Sequence, residues 1–238
     1  TRSGSATRIN SQGLIEEVAS GQSRLNYPMI DGKVVGCPHH ILEPERRNSL
    51  SYSEDFSNAY WTKNGTSVVS GFTSPDGTLN AYKLIEDNSN GLHRIYQTST
   101  ISASPESSIS IYVKYNGRKF VLIRIADSAV GRWYDIENGV LGDSWSATPN
   151  DSSIEPMGNG WYRITISHTV SSVARLEMWV SDTESTSAYQ GDGTSGIYIY
   201  GAQLEQGSYA TSYIPTSGSS VQRAADTANG AGNSEVFN

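Results

Sequence analysis

The segment IYIYGAQLEQGSYATSYIPT, Ile197 to Thr216, sets the architecture of this chain. Its first half reads as a buried β-strand. That strand leaves through a Gly-containing loop and enters a second extended stretch, which Pro215 closes. A second segment, YSEDFSNAYWTK from Tyr52 to Lys63, is rich in aromatic residues and opens the same unit, so the pair brackets one β domain.

Between the two, strand-like words recur: SVVSG from Ser67, AYKLI from Ala81, HRIYQT from His93, SISIYVKY from Ser108, FVLIRI from Phe120, RWYDI from Arg132, WYRITISHT from Trp161 and VARLEMWV from Val173. Many alternate, as in Ile109, Ile111 and Val113 against Ser108, Ser110 and Tyr112, which is the period of a half-buried antiparallel strand. The dipeptides Asn64-Gly65, Asp76-Gly77, Asn90-Gly91, Asn116-Gly117, Asn138-Gly139, Asn159-Gly160 and Asp192-Gly193 accept positive φ and predict tight hairpins. This density of turn signals, without a helical period of convincing length, predicts an all-β chain: an antiparallel β-sandwich or jelly roll. One local helical turn is expected within SEDFSNAYW, with Ser53 as its N-cap. Residues 1–48 mix Gly, Pro and Asn with short apolar words and read as an extended N-terminal arm. Residues 49–216 form the sandwich, and residues 217–238 read as a linker to a following module.

The words TRINSQGLIEEV (Thr7 to Val18), ILEPERRNSLSYSEDFSNAYW (Ile41 to Trp61), MGNGWYRITI (Met157 to Ile166), GAQLEQGSYATSYIPT and VQRAAD (Val221 to Asp226) occur in an order that resembles a recurrent module of tailed-phage virion appendages. Such modules sit in head fibres, tail fibres and tail-associated structural proteins, and are similar to carbohydrate-binding modules that accompany polysaccharide-degrading enzymes. The resemblance spans nearly the whole chain and brings no catalytic motif. It implies a non-enzymatic structural protein at the virion surface or outside the cell, a homotrimer of sister chains beside other virion proteins, and glycans as partners in host adsorption. The alternative it leaves open is a carbohydrate-binding module of a secreted polysaccharide-degrading enzyme.

Composition bounds these readings. At 238 residues with 36% hydrophobic and 17% charged side chains, the chain has apolar material for a core and too little charge for disorder. A net charge of -7, with scattered Lys and Arg, lacks the basic footprint of a nucleic-acid binder. No apolar run approaches the roughly 18 residues of a membrane span, so no membrane insertion is expected. A single cysteine, Cys37, excludes a disulfide framework within one chain. The absence of an initial Met and the trailing TANGAGNSEVFN suggest a piece of a longer protein.

Catalytic chemistry finds little support. His39 and His40 are adjacent and would point to opposite faces of a strand. Glu16-Glu17, Glu54-Asp55 and Asp182 with Glu184 are local pairs, whereas glycoside hydrolysis needs two carboxyls facing each other across a cleft. Phosphate-binding, nucleophile-elbow and zinc-protease motifs are absent. No cofactor is expected, apart from a structural calcium that Asp182, Glu184 and Asp192 could ligate.

Sugar binding fits the composition better, because flat aromatic faces cover C–H patches while polar side chains bond the hydroxyls. Trp133, Tyr134 and Trp145 flank the Asn138-Gly139 turn, with Arg124 and Arg132 on or near neighbouring strands. Trp179 is out of phase with Leu176, Met178 and Val180, which sends it to the face opposite the core together with Arg175 and Glu177. Each tryptophan has two readings, ligand contact or packing, and Trp61 and Trp161 read as core.

Overall fold

The computed structural model describes residues 2–98, 106–126, 130–170, 174–184, 186 and 188–228. Twelve strands form a sandwich: β1 (Thr62–Asn64), β2 (Thr66–Phe72), β3 (Ala81–Glu86), β4 (Arg94–Thr98), β5 (Ser107–Asn116), β6 (Phe120–Ala126), β7 (Val130–Asp135), β8 (Val140–Ser146), β9 (Asp151–Gly158), β10 (Trp161–His168), β11 (Arg175–Ser181) and β12 (Gly196–Gln206). They divide into two six-stranded sheets, the first in the order β9-β10-β5-β12-β3-β2 and the second β8-β7-β6-β11-β4-β1. Every neighbouring pair is antiparallel. The chain is therefore an all-β sandwich.

Alternation places one side of each strand between the sheets. Ile109, Ile111 and Val113 of β5, Ile164 and Ile166 of β10, and Ile197 and Ile199 of β12 meet Val121, Ile123 and Ile125 of β6 and Leu176, Met178 and Val180 of β11. Full burial of each such side chain stabilises by about 1.5–3 kcal/mol. In β12 the alternation changes phase, because Ala202 and Leu204 join this core although they are odd steps from Ile199. Gly201 absorbs the extra residue with φ of 61°, and the register against β5 shifts there.

The strand words read from the sequence overlap strands, with Val173 outside the described residues, and they left out the three-residue β1 as well as the longer β8 and β9. Both are edge strands, in VLGDSWS and DSSIEPMG, where Gly, Asp and Pro156 mask the pattern. The Asn159-Gly160 hairpin has both residues at positive φ, as expected. Asn90-Gly91 is instead part of a short ladder, Asn90–Leu92 against Ala188–Gln190. The expected helical turn at Ser53 is replaced by Asx-type turns in which Asp55 accepts from Ser57 N and Asn58 from Tyr60 N. Ser53 Oγ is directed elsewhere, 2.7 Å from both Tyr213 Oη and Thr216 N.

The outer face of the first sheet is covered. A hairpin of Ala6–Ile9 with Ile15–Val18 inserts Ile9 and Ile15 against Ala81, Tyr112, Tyr200 and Tyr213. Trp161 lies in the same outer cluster, whereas Trp61 belongs to the inter-sheet core. Ser108, Ser110 and Tyr112, expected on a solvated face, are consequently buried. Among the described residues no helix is long and apolar enough to cross a membrane.

Candidate functional site

The outer face of the second sheet carries its own cover. Register sets Tyr96, Glu177, Arg124, Gly131 and Trp145 in one transverse row across β4, β11, β6, β7 and β8. A neighbouring row holds Arg94, Trp179, Leu122 and Trp133. Directly opposed side chains in such rows stand about 5 Å apart at Cβ. Trp133 is 1% exposed and Trp179 6%, and with Leu122 they form a small apolar floor. Trp145 is half-buried on top of it, its ring 5.2 Å from Trp179 and 6.3 Å from Trp133 in edge-on packing. Gly131 lets Arg124 and Leu122 lie directly against its backbone, because a Cβ there would stand 2.9 Å from Arg124 Cγ and 3.1 Å from Leu122 Cδ1.

Glu177 sits at the centre, 0% exposed. Its carboxylate accepts from Trp179 Nε1 at 2.7 Å, from Arg124 Nη1 at 2.9 Å and from Arg94 Nη1 at short range, while Arg175 Nη2 lies 3.8 Å away. The guanidinium groups also stack on aromatic faces. Arg124 is 5.1 Å from the Trp179 ring centre, Arg94 5.0 Å from that of Tyr96, and Arg175 5.3 Å from the same Tyr96 ring. One buried carboxylate thus organises three partly exposed cations between the aromatic rings of Tyr96 and Trp145.

The sequence candidates divide accordingly. Trp133, Trp145, Trp179, Arg124 and Arg175 share this face. Tyr134 does not: adjacent to Trp133 on β7, it points inward, is 0% exposed and donates its hydroxyl to the Thr165 carbonyl of the opposite sheet. Burial pushes its phenol far above the usual value. Arg132 aligns with inward-facing Ile123 and bonds Ser144 Oγ at 2.9 Å, so it too leaves the cluster. Sequence reading passed over Tyr96, Arg94 and the central role of Glu177. Their signal was the alternation R-x-Y in β4 and R-x-E-x-W in β11, which acquires meaning only once β4 and β11 are paired.

The three acids considered for calcium do not converge. Arg118 Nη2 lies 3.3 Å from Asp192, and Arg118 Nη1 3.9 Å from Asp182, so a guanidinium already supplies the cation between them. Asp192 also folds onto its own turn through Thr194 and Ser195, which holds its carboxyl well below the usual range. Glu184 accepts instead from Asp143 N. Among the described residues no group of three His, Cys, Asp or Glu side chains is arranged to hold a metal.

Two further polar clusters lie at the first sheet. Tyr200 Oη lies 3.1 Å from Glu54 and 3.0 Å from Asp76, and Tyr213 Oη lies 3.0 Å from the same Glu54 oxygen. Burial, assisted by Asp76, raises the Glu54 carboxyl above its ordinary value. At Asp76 burial pushes the same way, but hydrogen bonds from Ser74, Thr78 and Asn80 outweigh it and hold that carboxyl down. This is an acid–phenol lock under the N-terminal hairpin. A cavity of about 270 Å³ also lies beneath that hairpin, beside Tyr112, Arg163, Glu43 and Met157. Its polar walls are committed to the fold: Arg163 bonds Ser110 Oγ and Thr211 O, and Glu43 pairs with Arg24 and Arg223.

The fold and this face define an all-β sandwich with an aromatic and arginine-lined outer sheet. No family model and no curated protein matches the chain. Among solved structures, it is similar to the enzymatically active domain of tailspike protein 4 of bacteriophage CBA120, at 19% identity and a TM-score of 0.40 over 66% of this chain. It spans 21% of the length of that tailspike chain. It is also similar to the CBM22-1 xylan-binding domain from Paenibacillus barcinonensis Xyn10C, at 11% identity and a TM-score of 0.36 over 69% of this chain and 94% of the other. A carbohydrate-binding module of Cellvibrio mixtus lichenase 5A, in complex with cellotriose, matches at 9% identity and a TM-score of 0.32 over 68% of this chain and 96% of its own. Its structural neighbours thus include a phage tailspike domain and carbohydrate-binding modules.

Proposed function

We propose that this protein is a non-catalytic glycan-binding module of a phage virion appendage, displayed outside the cell and assembled as a homotrimer of sister chains. The observation that carries the binding role is Trp145, a half-buried indole on a floor of Trp133 and Trp179, with the Arg124 guanidinium held by Glu177 over the same Trp179 ring. A flat apolar ring next to preorganised N–H donors is the equipment that grips a sugar face and its hydroxyls. The virion context and the trimer are supported by the ordered sequence words from Thr7 to Asp226. The non-catalytic reading is supported by Glu54 and Asp76, which share a tyrosine hydroxyl within the fold rather than facing each other across a cleft.

Calorimetry of the chain against a panel of polysaccharides tests the binding role. Saturable heat that Trp145→Ala removes, while the variant still unfolds in one cooperative transition at a somewhat lower temperature, is the expected result; absence of heat across the panel would reduce the module to architecture. Light scattering tests the trimer, for which the expected mass is three times that of the chain. An accessory module of a secreted polysaccharide-degrading enzyme would use the same face, and the domain adjoining this chain in the full protein distinguishes the two contexts.

A further inference from the structure

Resting on the glycan-binding reading, we infer that the outer face of the second sheet is built for an acidic polysaccharide bearing carboxylates, with Arg94, Arg124 and Arg175 pairing the acid groups and Trp145 taking a sugar ring. Charge on the face is the first argument. Glu177 neutralises one guanidinium, yet three surround it, and among the described residues no other carboxylate pairs with them. A surplus of positive charge is therefore concentrated on one face of a chain whose net charge is -7. Repulsion among three cations is a cost that a fold alone does not require, since one arginine would suffice to accompany a buried acid.

Preorganisation is the second argument. Arg94 and Arg124 are clamped by hydrogen bonds to Glu177 and by an aromatic ring, and Arg175, 3.8 Å from Glu177, stacks on Tyr96, so part of their rotamer freedom is already lost before a ligand arrives. The side chains nevertheless stay partly open, at 24% for Arg94, 18% for Arg124 and 29% for Arg175. Arg94 and Arg124 come from the strands on either side of β11 and bond different oxygens of the one Glu177 carboxylate, so their guanidinium groups converge into a single concentrated patch of positive charge. The planar guanidinium fork matches the planar carboxylate, and Glu177 is itself an example of the group these arginines take.

The experiment is titration of the whole chain with polygalacturonate, with the same polymer methyl-esterified, with a neutral polysaccharide panel, with a sulfated polymer and with single-stranded DNA. Expected are preferential binding of polygalacturonate, weakening as salt rises, and loss of about tenfold or more in affinity on esterification. Arg175→Gln should weaken polygalacturonate by a similar factor. This variant removes the most exposed cation, leaves Glu177 its bonds to Arg94 and Arg124, and is checked for folding by its melting curve. Equal affinity for the esterified and free polymers would overturn the acidic specificity while leaving the glycan reading intact. Binding of none of the polysaccharides would overturn both. Sulfated polymer or DNA bound as tightly as polygalacturonate, with the same response to Arg175→Gln, would overturn the assignment to carboxylates.

Discussion

Asn48 is the residue on which the two ends of the sandwich segment meet. Fully buried, it donates to the carbonyls of Ala202 and Ile214 at 3.1 and 2.8 Å, and its Oδ1 accepts from Leu50 N and Leu204 N at 3.2 and 3.1 Å. Gln203 and Glu205, also buried, extend the lock: Gln203 accepts from Ile214 N at 2.6 Å, and Glu205 accepts from Thr211 N and its hydroxyl. The words RRNSLSYSEDF and GAQLEQGSYATSYIPT are thus complementary halves of one hydrogen-bonded joint. Asn48→Ala leaves these backbone groups without partners in a site closed to water, and a loss of roughly 3 kcal/mol or more is expected from urea denaturation. A variant that retained native stability would remove Asn48 from this role.

At the scale of elements, β7 and β11 decide the candidate site. Successive side chains on a strand face opposite ways, so Trp133 stands on the floor of the outer face while Tyr134 enters the core. In β11 the same rule sends Leu176, Met178 and Val180 inward and Arg175, Glu177 and Trp179 outward. Gly131 of β7 is the gap in this pattern. Gly131→Ala pushes a methyl into Arg124 and Leu122, and overpacking of this kind costs about 1–3 kcal/mol. The expected signature is a lower denaturation midpoint with an altered near-ultraviolet signal from the tryptophan cluster, and weaker glycan binding because Arg124 is displaced. Unchanged affinity would mean that Arg124 does not contact the ligand.

For the whole molecule, ion pairs tie the first 48 residues to the segment after Pro215. Arg24 is wholly buried at its side chain and pairs with Asp226 and Glu43; Arg223 pairs with Glu43, and Arg2 lies 3.7 Å from Asp226. Burial works to raise both carboxyls, but at Glu43 the pull of Arg223 and the Ser212 hydrogen bonds prevails, and at Asp226 that of Arg24 and the Glu43 amide. Both carboxyls therefore lie below their ordinary values. Groups depressed in the folded state contribute stability above the unfolded carboxylate value, and that contribution is lost as pH falls through the folded value. Acidification below the ordinary carboxylate range is therefore expected to release residues 1–48 from the sandwich, read as cleavage of that segment by an acid-active protease and as faster amide exchange in Ala6–Ile9. Asp226→Asn should move this release to higher pH. Protection of the segment that is indifferent to pH and to this substitution would contradict the ionic tie.

Sequence alone determined that the chain is a β-sandwich. Alternation in stretches such as Ser108 to Tyr115 and the Asn-Gly punctuation are local properties, set by the two-residue period of a strand and by the freedom of Gly at positive φ. The phase of Trp179 against Met178 was equally legible, because it concerns neighbours on one strand. Whether an outward residue meets solvent or another layer was not local. Ser108, Ser110 and Tyr112 have the pattern of a wet face, yet the 6–18 hairpin and the segment around Tyr213 cover them. Several members of the site were legible in the sequence, but their assembly came only from the tertiary structure. Tyr96, Glu177, Arg124 and Trp145 are far apart in the chain and become a row only through pairings across β4, β11, β6, β7 and β8, and the buried carboxylate finds Arg94 and Arg124 through that register, while Arg175 stands two residues before it on the same strand.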